Sequence, residues 1–178
     1  MSTNMQPYGA DNLIIRGMPL TLAYPGRQFF VSNADVLFEG GAQLSIGTDA
    51  GDDGTLAKPF RTIDYAVGKC TANRGDIIFV LPGHAATYSQ ATATADDLTV
   101  DVAGLAIVGL GTGSLRPTIT QDTEATQNIV VSADNVTIAN IWFKANFLDI
   151  SICIAFDGAA YFSLVNCQFE DSADTLNY

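Results

Sequence analysis

Positive charge is what this chain has least of. Eight Lys and Arg stand against 19 Asp and Glu, for a net charge of −11. A phosphate-binding surface is built from Lys and Arg, so the deficit argues against nucleic-acid binding. Charge of either sign is scarce, at 15 % of residues, while apolar residues make up 48 %. A disordered chain has the opposite balance. The three cysteines, Cys70, Cys153 and Cys167, are an odd count with no metal-type spacing. They fall in apolar patterns and are expected to pack as small buried hydrophobes, outside any disulfide framework. No apolar run approaches membrane-spanning length, and the N-terminus has no basic-then-apolar leader pattern.

What the chain does have is alternation. In Val136-Thr137-Ile138-Ala139, and after a turn at Asn140 in Ile141-Trp142-Phe143, apolar side chains recur every second residue. Period two puts one set on one face of a strand. The pattern recurs at Leu105-Ala106-Ile107-Val108 and at Phe162-Ser163-Leu164-Val165, with a fainter copy at Ile77–Leu81. Matching Ile77, Leu105, Val136 and Phe162 gives spacings of 28, 31 and 26 residues. A strand, a turn and another strand at such a period predict a solenoid, because one unit has an apolar face and nothing of its own to bury it against. Val, Ile, Phe and Thr in the repeats disfavour helical units. Asn140 and Asn166 share one turn position. Asn tolerates the left-handed backbone there, and stacked Asn amides can bond along the column. Ordinary turn residues are the plainer alternative.

Residues 1–27 read as an extended arm, and 28–178 as the body. The arm is broken by Pro7, Gly9, Gly17, Pro19, Pro25 and Gly26 and builds no core of its own. It nevertheless carries anchors: Tyr8, Ile14, Ile15, Met18, Leu20, Leu22 and Tyr24. Residues 1–31 hold Arg16, Arg27 and Asp11, about +1, whereas the rest holds six bases and 18 acids, −12. Wrapping its own body and ordering on a partner are the two uses for such an arm, and the partner is favoured. Tyr8, Ile14, Ile15, Arg16, Leu20, Leu22, Tyr24 and Arg27 are then the partner-binding residues.

The Asp-Gly cluster at residues 47–55 suggests a calcium loop. It lacks the closing acid of an EF-hand, however, and Asp-Gly clusters also make turns. Residues 59–72 predict a helix: Pro59 suits its first turn, and Phe60, Ile63, Val67 and Cys70 lie on one side. Phe60, Ile63 and Val67 would plug the N-terminal end of the column. His84 follows a Pro-Gly turn with no Ser or Cys placed as its nucleophile partner, and residues 85–97 read as loop. The glycines of residues 109–114 miss both phosphate-loop spacings.

The order from Gly47 onward is a Gly-Asp turn, a Pro-Phe-Arg-Thr-Ile helix, Gly75-Asp76-Ile77 running to Pro82-Gly83-His84, then repeats with turn asparagines. It resembles the N-terminal part of right-handed parallel β-helix proteins of the pectate-lyase-like superfold. The wording Val108-Gly109-Leu110-Gly111-Thr112-Gly113-Ser114 to Arg116-Pro117, with Asn135-Val136-Thr137-Ile138-Ala139-Asn140, is similar to a group of phage virion proteins. The resemblance covers roughly residues 28–170. It implies an all-β fold: a short right-handed parallel β-helix with an N-terminal capping helix and an extended arm. That superfold hosts enzymes and inert scaffolds alike. Enzymes of this kind set carboxylates on adjacent strand faces, whereas the acids here fall mainly at turns: Asp101, Asp134, Asp157 and Asp171. The expectation is a non-enzymatic virion subunit with no cofactor or metal, decorating or cementing a capsid at the particle surface. Its partner would be the major capsid protein or another virion protein. Its own assembly would be a homotrimer, bound to neither nucleic acid nor membrane. The alternative is the particle-attached N-terminal part of a tail spike or fibre that binds or degrades surface glycans.

Overall fold

The computed structural model describes residues 26–34, 46–51, 54–88, 98–122, 129–146 and 152–171, with the backbone pairing of four two-residue strands elsewhere. Those four form antiparallel pairs: β1 (Ile14–Ile15) with β2 (Met18–Pro19), and β4 (Val36–Leu37) with β5 (Gln43–Leu44). The remaining described chain is mostly β, in parallel sheets, with very little helix.

Three parallel sheets make up the body. The first runs β3 (Gln28–Val31), β6 (Ile77–Val80), β9 (Ala106–Gly109), β12 (Thr137–Ala139) and β15 (Ser163–Val165). The second runs β7 (Ala85–Tyr88), β10 (Thr118–Gln121), β13 (Trp142–Ala145) and β16 (Gln168–Asp171). The third runs β8 (Leu98–Val100), β11 (Ile129–Val131) and β14 (Ala155–Phe156). From β6 onward the chain visits the sheets in a fixed order and lays each strand beside its predecessor, about 4.8 Å away.

Register turns the alternation into apolar rows. Ile78, Ile107, Ile138 and Leu164 are partners across the first sheet. Ala86, Ile119, Phe143 and Phe169 are partners across the second, and Val100, Val131 and Phe156 across the third. The buried members from all three sheets meet in one core cluster. Burying each large apolar side chain contributes roughly 1.5–3 kcal/mol.

Four details differ from the sequence-based expectation. Ile77 is partnered by Ala106, not Leu105, and sits with Phe79 in a separate small cluster against Phe30, Val108 and Leu110. The core-facing residues of β6 are Ile78 and Val80. Every residue of β6 is apolar and buried, so its sequence carries no alternation to fix the face. Leu105 and Val136 are buried, whereas Phe162 is only half-buried because it lies at the end of the stack. Residues 85–88, expected as loop, form β7: Ala-Ala-Thr-Tyr is a weak pattern, and its place is set by pairing with β10. The cysteines are free and half-buried, packed on the rim of the core.

The helix is also shorter than expected. α1 spans Ile63–Val67 and buries Ile63, Ala66 and Val67. Thr62 caps it, its Oγ1 accepting from the Tyr65 N–H at 3.2 Å, and Gly68 N–H closes on Asp64 O at 3.1 Å. Phe60 lies outside the helix, bridged to Val31, its ring against Phe29 and Tyr65. Asp49 accounts for the late start. Its carboxylate accepts from the Arg61 and Thr62 amides and the Thr62 hydroxyl, which fixes the turn before the first helical residue. α1 packs on β3, β6 and β8, early strands of the first and third sheets.

Candidate functional site

Gly109 and the turn asparagines form a ladder beside the first sheet. Asn140 and Asn166 both hold left-handed backbone, with φ of 56° and 54°. Asn166 Nδ2 donates to Asn140 Oδ1 at 3.0 Å, and Asn140 Nδ2 donates to Gly109 O at 2.8 Å and Gly111 O at 3.0 Å. A Cβ on Gly109 would stand 2.3 Å from Asn140 O, so only glycine admits this close approach.

At the opposite side of the body, Asp76 ties Arg27 to the core. Its side chain is fully buried. It accepts from the Arg27 N–H at 2.7 Å, the Thr71 N–H at 2.8 Å, and Arg74 Nε and Nη2 at 2.7 and 2.6 Å. Burial would raise its pKa, but the Arg74 guanidinium and the two amides outweigh burial and hold it below the ordinary value.

A cleft of about 110 Å³ lies where β7 meets α1, lined by Asn33, Arg61, Thr62, Asp64, His84, Thr87 and Tyr88 among others. His84 Nδ1 accepts from the Asn33 N–H at 3.1 Å, which puts the neutral ring's proton on Nε2. The Asn33 side chain clasps the Ala85 backbone in both directions, at 2.7 and 2.9 Å. Burial lowers the His84 pKa to about 4. Its Nε2 has no hydrogen-bond partner among the described residues and is sealed from solvent. Burial raises the Asp64 pKa against the Thr99 amide that bonds it, and Asp101 and Asp49 add to the rise. Among the described residues His84 is hydrogen-bonded to no nucleophile, and Asp49 is spent on backbone amides. Among the described residues no group of three metal-ligating side chains is assembled.

A shallow groove of about 320 Å³ runs on the outer face of the second sheet, lined by Gly113, Ser114, Arg116, Trp142 and Gln168. Arg116 Nη1 donates to Gln168 Oε1 at 3.3 Å, and Lys144 Nζ sits 3.9 Å from the centre of the Trp142 ring. Lys144 is 3.7 Å from Glu170, an ion pair too long for a hydrogen bond.

The last feature is the late end of the stack. Each apolar row has a half-exposed final member. Ile138 is 1 % exposed and Leu164 40 %; Phe143 is 1 % and Phe169 46 %; Val131 is 0 % and Phe156 53 %. Phe169 stacks on Phe143 at 5.2 Å. β14, β15 and β16 are the edge strands of their sheets at this end.

Of the residues expected to bind a partner, Tyr8, Arg16, Leu20, Leu22 and Tyr24 lie outside the described residues. Ile14 and Ile15 are placed only by backbone pairing with Pro19 and Met18. Arg27 is exposed, and its backbone is stitched to the body through Asp76 and Ile77. Phe60, Ile63 and Val67 are buried together in the core. Sequence reasoning missed the role of Asp76, the Asn33–His84 contact and the Trp142 groove. Arg74-Gly75-Asp76 was the available signal for the first: an acid that opens a fully apolar strand needs a partner. No protein-family model matches the chain, and searches of curated proteins and of solved structures give no match.

Proposed function

We propose that this chain is a non-catalytic assembly subunit: a short right-handed parallel β-helix whose three sheets are the walls of one column. The observation that carries the proposal is the set of in-register apolar rows whose last members are half-exposed together. A surface of that kind favours association over chemistry. The sealed His84 and the structurally occupied Asp49 and Asp76 support the same conclusion. The resemblance of its wording to phage virion proteins supports the setting we propose: a capsid decoration or cementing subunit, held to the major capsid protein by residues 1–27 and assembled as a homotrimer. The arm's opposite charge and apolar anchors support attachment through it. Deleting residues 1–27 should leave a folded, soluble body that no longer co-sediments with undecorated particles. Undiminished binding would move attachment to the β-helix face and refute the arm's role.

The Trp142 groove supports a second role, as the particle-attached part of a tail spike or fibre. An aromatic face flanked by Arg116 and Gln168 is suited to hold a sugar ring. Copy number per particle separates the two, because a cement subunit is far more abundant than a spike.

A further inference from the structure

Beyond Arg74 the chain has no Lys or Arg except Arg116 and Lys144, and both come to its one tryptophan. Arg116 lines the groove together with Trp142, and Lys144, which does not line it, lies over the ring. The register explains the meeting. Thr118, Trp142 and Gln168 are partners across β10, β13 and β16. Arg116, two residues before Thr118, therefore reaches over β13 to bond Gln168. Among the described residues Lys144 pairs with Glu170, and Arg116 pairs with no acid. The Arg116 Nε–H and the Trp142 Nε1–H have no hydrogen-bond partner. Both are donors, and a buried donor without an acceptor is unfavourable until one is supplied. They are covered while Arg116 bonds Gln168, but that bond is long, at 3.3 Å, and exposed, so it yields readily. At the mouth of the groove, a Cβ on Gly113 would meet nothing within 4 Å.

We propose that this groove binds a sugar that carries a carboxylate, with the Trp142 ring against the apolar face of the sugar and Arg116 on the carboxylate. The proposal rests on the sugar-binding reading of the groove and adds the charge of the ligand. A neutral sugar would use the ring and leave the cation unmet. A bare small anion would use the cation and leave the ring. The planar fork of Arg116 matches a carboxylate in two hydrogen bonds, which makes it the residue that selects the ligand. Lys144 adds local attraction on a chain whose net charge of −11 otherwise repels acids.

The test uses the full chain and reads tryptophan fluorescence, which reports on this groove alone because Trp142 has no counterpart elsewhere in the chain. The probes are methyl glucuronide, methyl glucoside, acetate and a short peptide of Gly and Asp. Methyl glucuronide should change the emission saturably and bind about tenfold tighter than methyl glucoside at low salt, the gap narrowing as salt screens the charge. Acetate and the peptide should bind no better than methyl glucoside. Arg116→Gln should remove the preference for the glucuronide and keep the binding of the glucoside, and Arg116→Lys should keep part of the preference. Melting curves of both variants check that the fold is intact, and the salt dependence of the parent tests the charge without any substitution. Equal binding of glucuronide and glucoside would overturn the proposal and leave the sugar-binding reading standing. Binding of neither sugar would overturn both. Acetate as effective as the glucuronide would reduce the groove to a bare anion site, and tighter binding of the peptide would make it a protein contact; either overturns the proposal. So would a glucuronide preference that survives Arg116→Gln in a folded variant. None of these results depends on particle attachment, so the proposal can fail while the arm's role stands.

Discussion

Replacing Asp76 with Ala tests whether one buried carboxylate holds Arg27, the chain after α1 and β6 together. The substitution strips acceptors from the Arg27 and Thr71 amides, which bond Asp76 at 2.7 and 2.8 Å. A buried N–H left unpaired costs about 1–3 kcal/mol, so the two together cost about 2–6 kcal/mol. A domain of this size has only about 5–15 kcal/mol of stability, so the loss is large. Arg74→Ala should cost clearly less, because the guanidinium is 29 % exposed and its removal leaves both amides bonded. Urea denaturation of the parent and both variants at neutral pH measures the difference. A pH series adds a second check. The folded-state pKa of Asp76 lies below its ordinary value of 3.8, so its contribution is fully present above pH 3.8 and is lost as pH falls through the folded-state value. Asp76→Ala should lack that acid limb. Equal losses from Asp76→Ala and Arg74→Ala, or an unchanged acid limb, would refute the assignment.

Asn140→Gly should cost about 1–2 kcal/mol through its lost amide bonds, and Asn140→Ala about 1 kcal/mol more, because Ala resists the left-handed backbone. Thermal or urea unfolding that ranks Ala at or above Gly would remove the backbone argument. His84 has a folded-state pKa of about 4 against an ordinary 6.5. Its contribution is therefore present above pH 6.5 and falls by about 3 kcal/mol as pH drops to 4. His84→Gln should flatten that segment of the stability curve, and an unflattened curve would contradict the buried neutral ring. Phe60→Asp, at a position 2 % exposed, should cost at least about 3–5 kcal/mol and promote aggregation, since it puts a charge where the ring closes the core. A monodisperse variant as stable as the parent, by light scattering and melting, would show that Phe60 seals nothing.

The parallel all-β architecture was legible because its central strands alternate cleanly. In Val136-Thr137-Ile138 and Ile141-Trp142-Phe143 the buried and half-buried residues follow the period-two pattern read from sequence. The first repeat was not legible to the residue. Ile-Ile-Phe-Val is apolar on both faces, so two registers fit equally and only the pairing with Ala106 decides between them. β7 was hidden for a different reason. Its small residues gain their place from Ile119 and its neighbours, which are remote in sequence. The same holds for polar partners. Asn33 reaches His84 and Arg27 reaches Asp76 across about fifty residues, and no local pattern marks either pair. The turn asparagines were legible because positive φ and side-chain stacking both select Asn.

The two ends of the stack pose opposite problems, and the sequence meets them differently. Unpaired parallel edges template association, so each end needs a cover or a deterrent. At the early end, α1, Phe60 and β3 provide a cover, and Ile78, Leu98 and Ile129 behind it are essentially inaccessible. At the late end the apolar rows become part-exposed, at Leu164 40 % and Phe169 46 %, and β16 ends in Glu170-Asp171. Two like charges about 5 Å apart repel by about 3 kcal/mol at an effective dielectric of 20. That is enough to offset several strand-pair contacts of about 0.2–1 kcal/mol each. The acids therefore act as gatekeepers: they make edge-to-edge pairing of identical copies unfavourable.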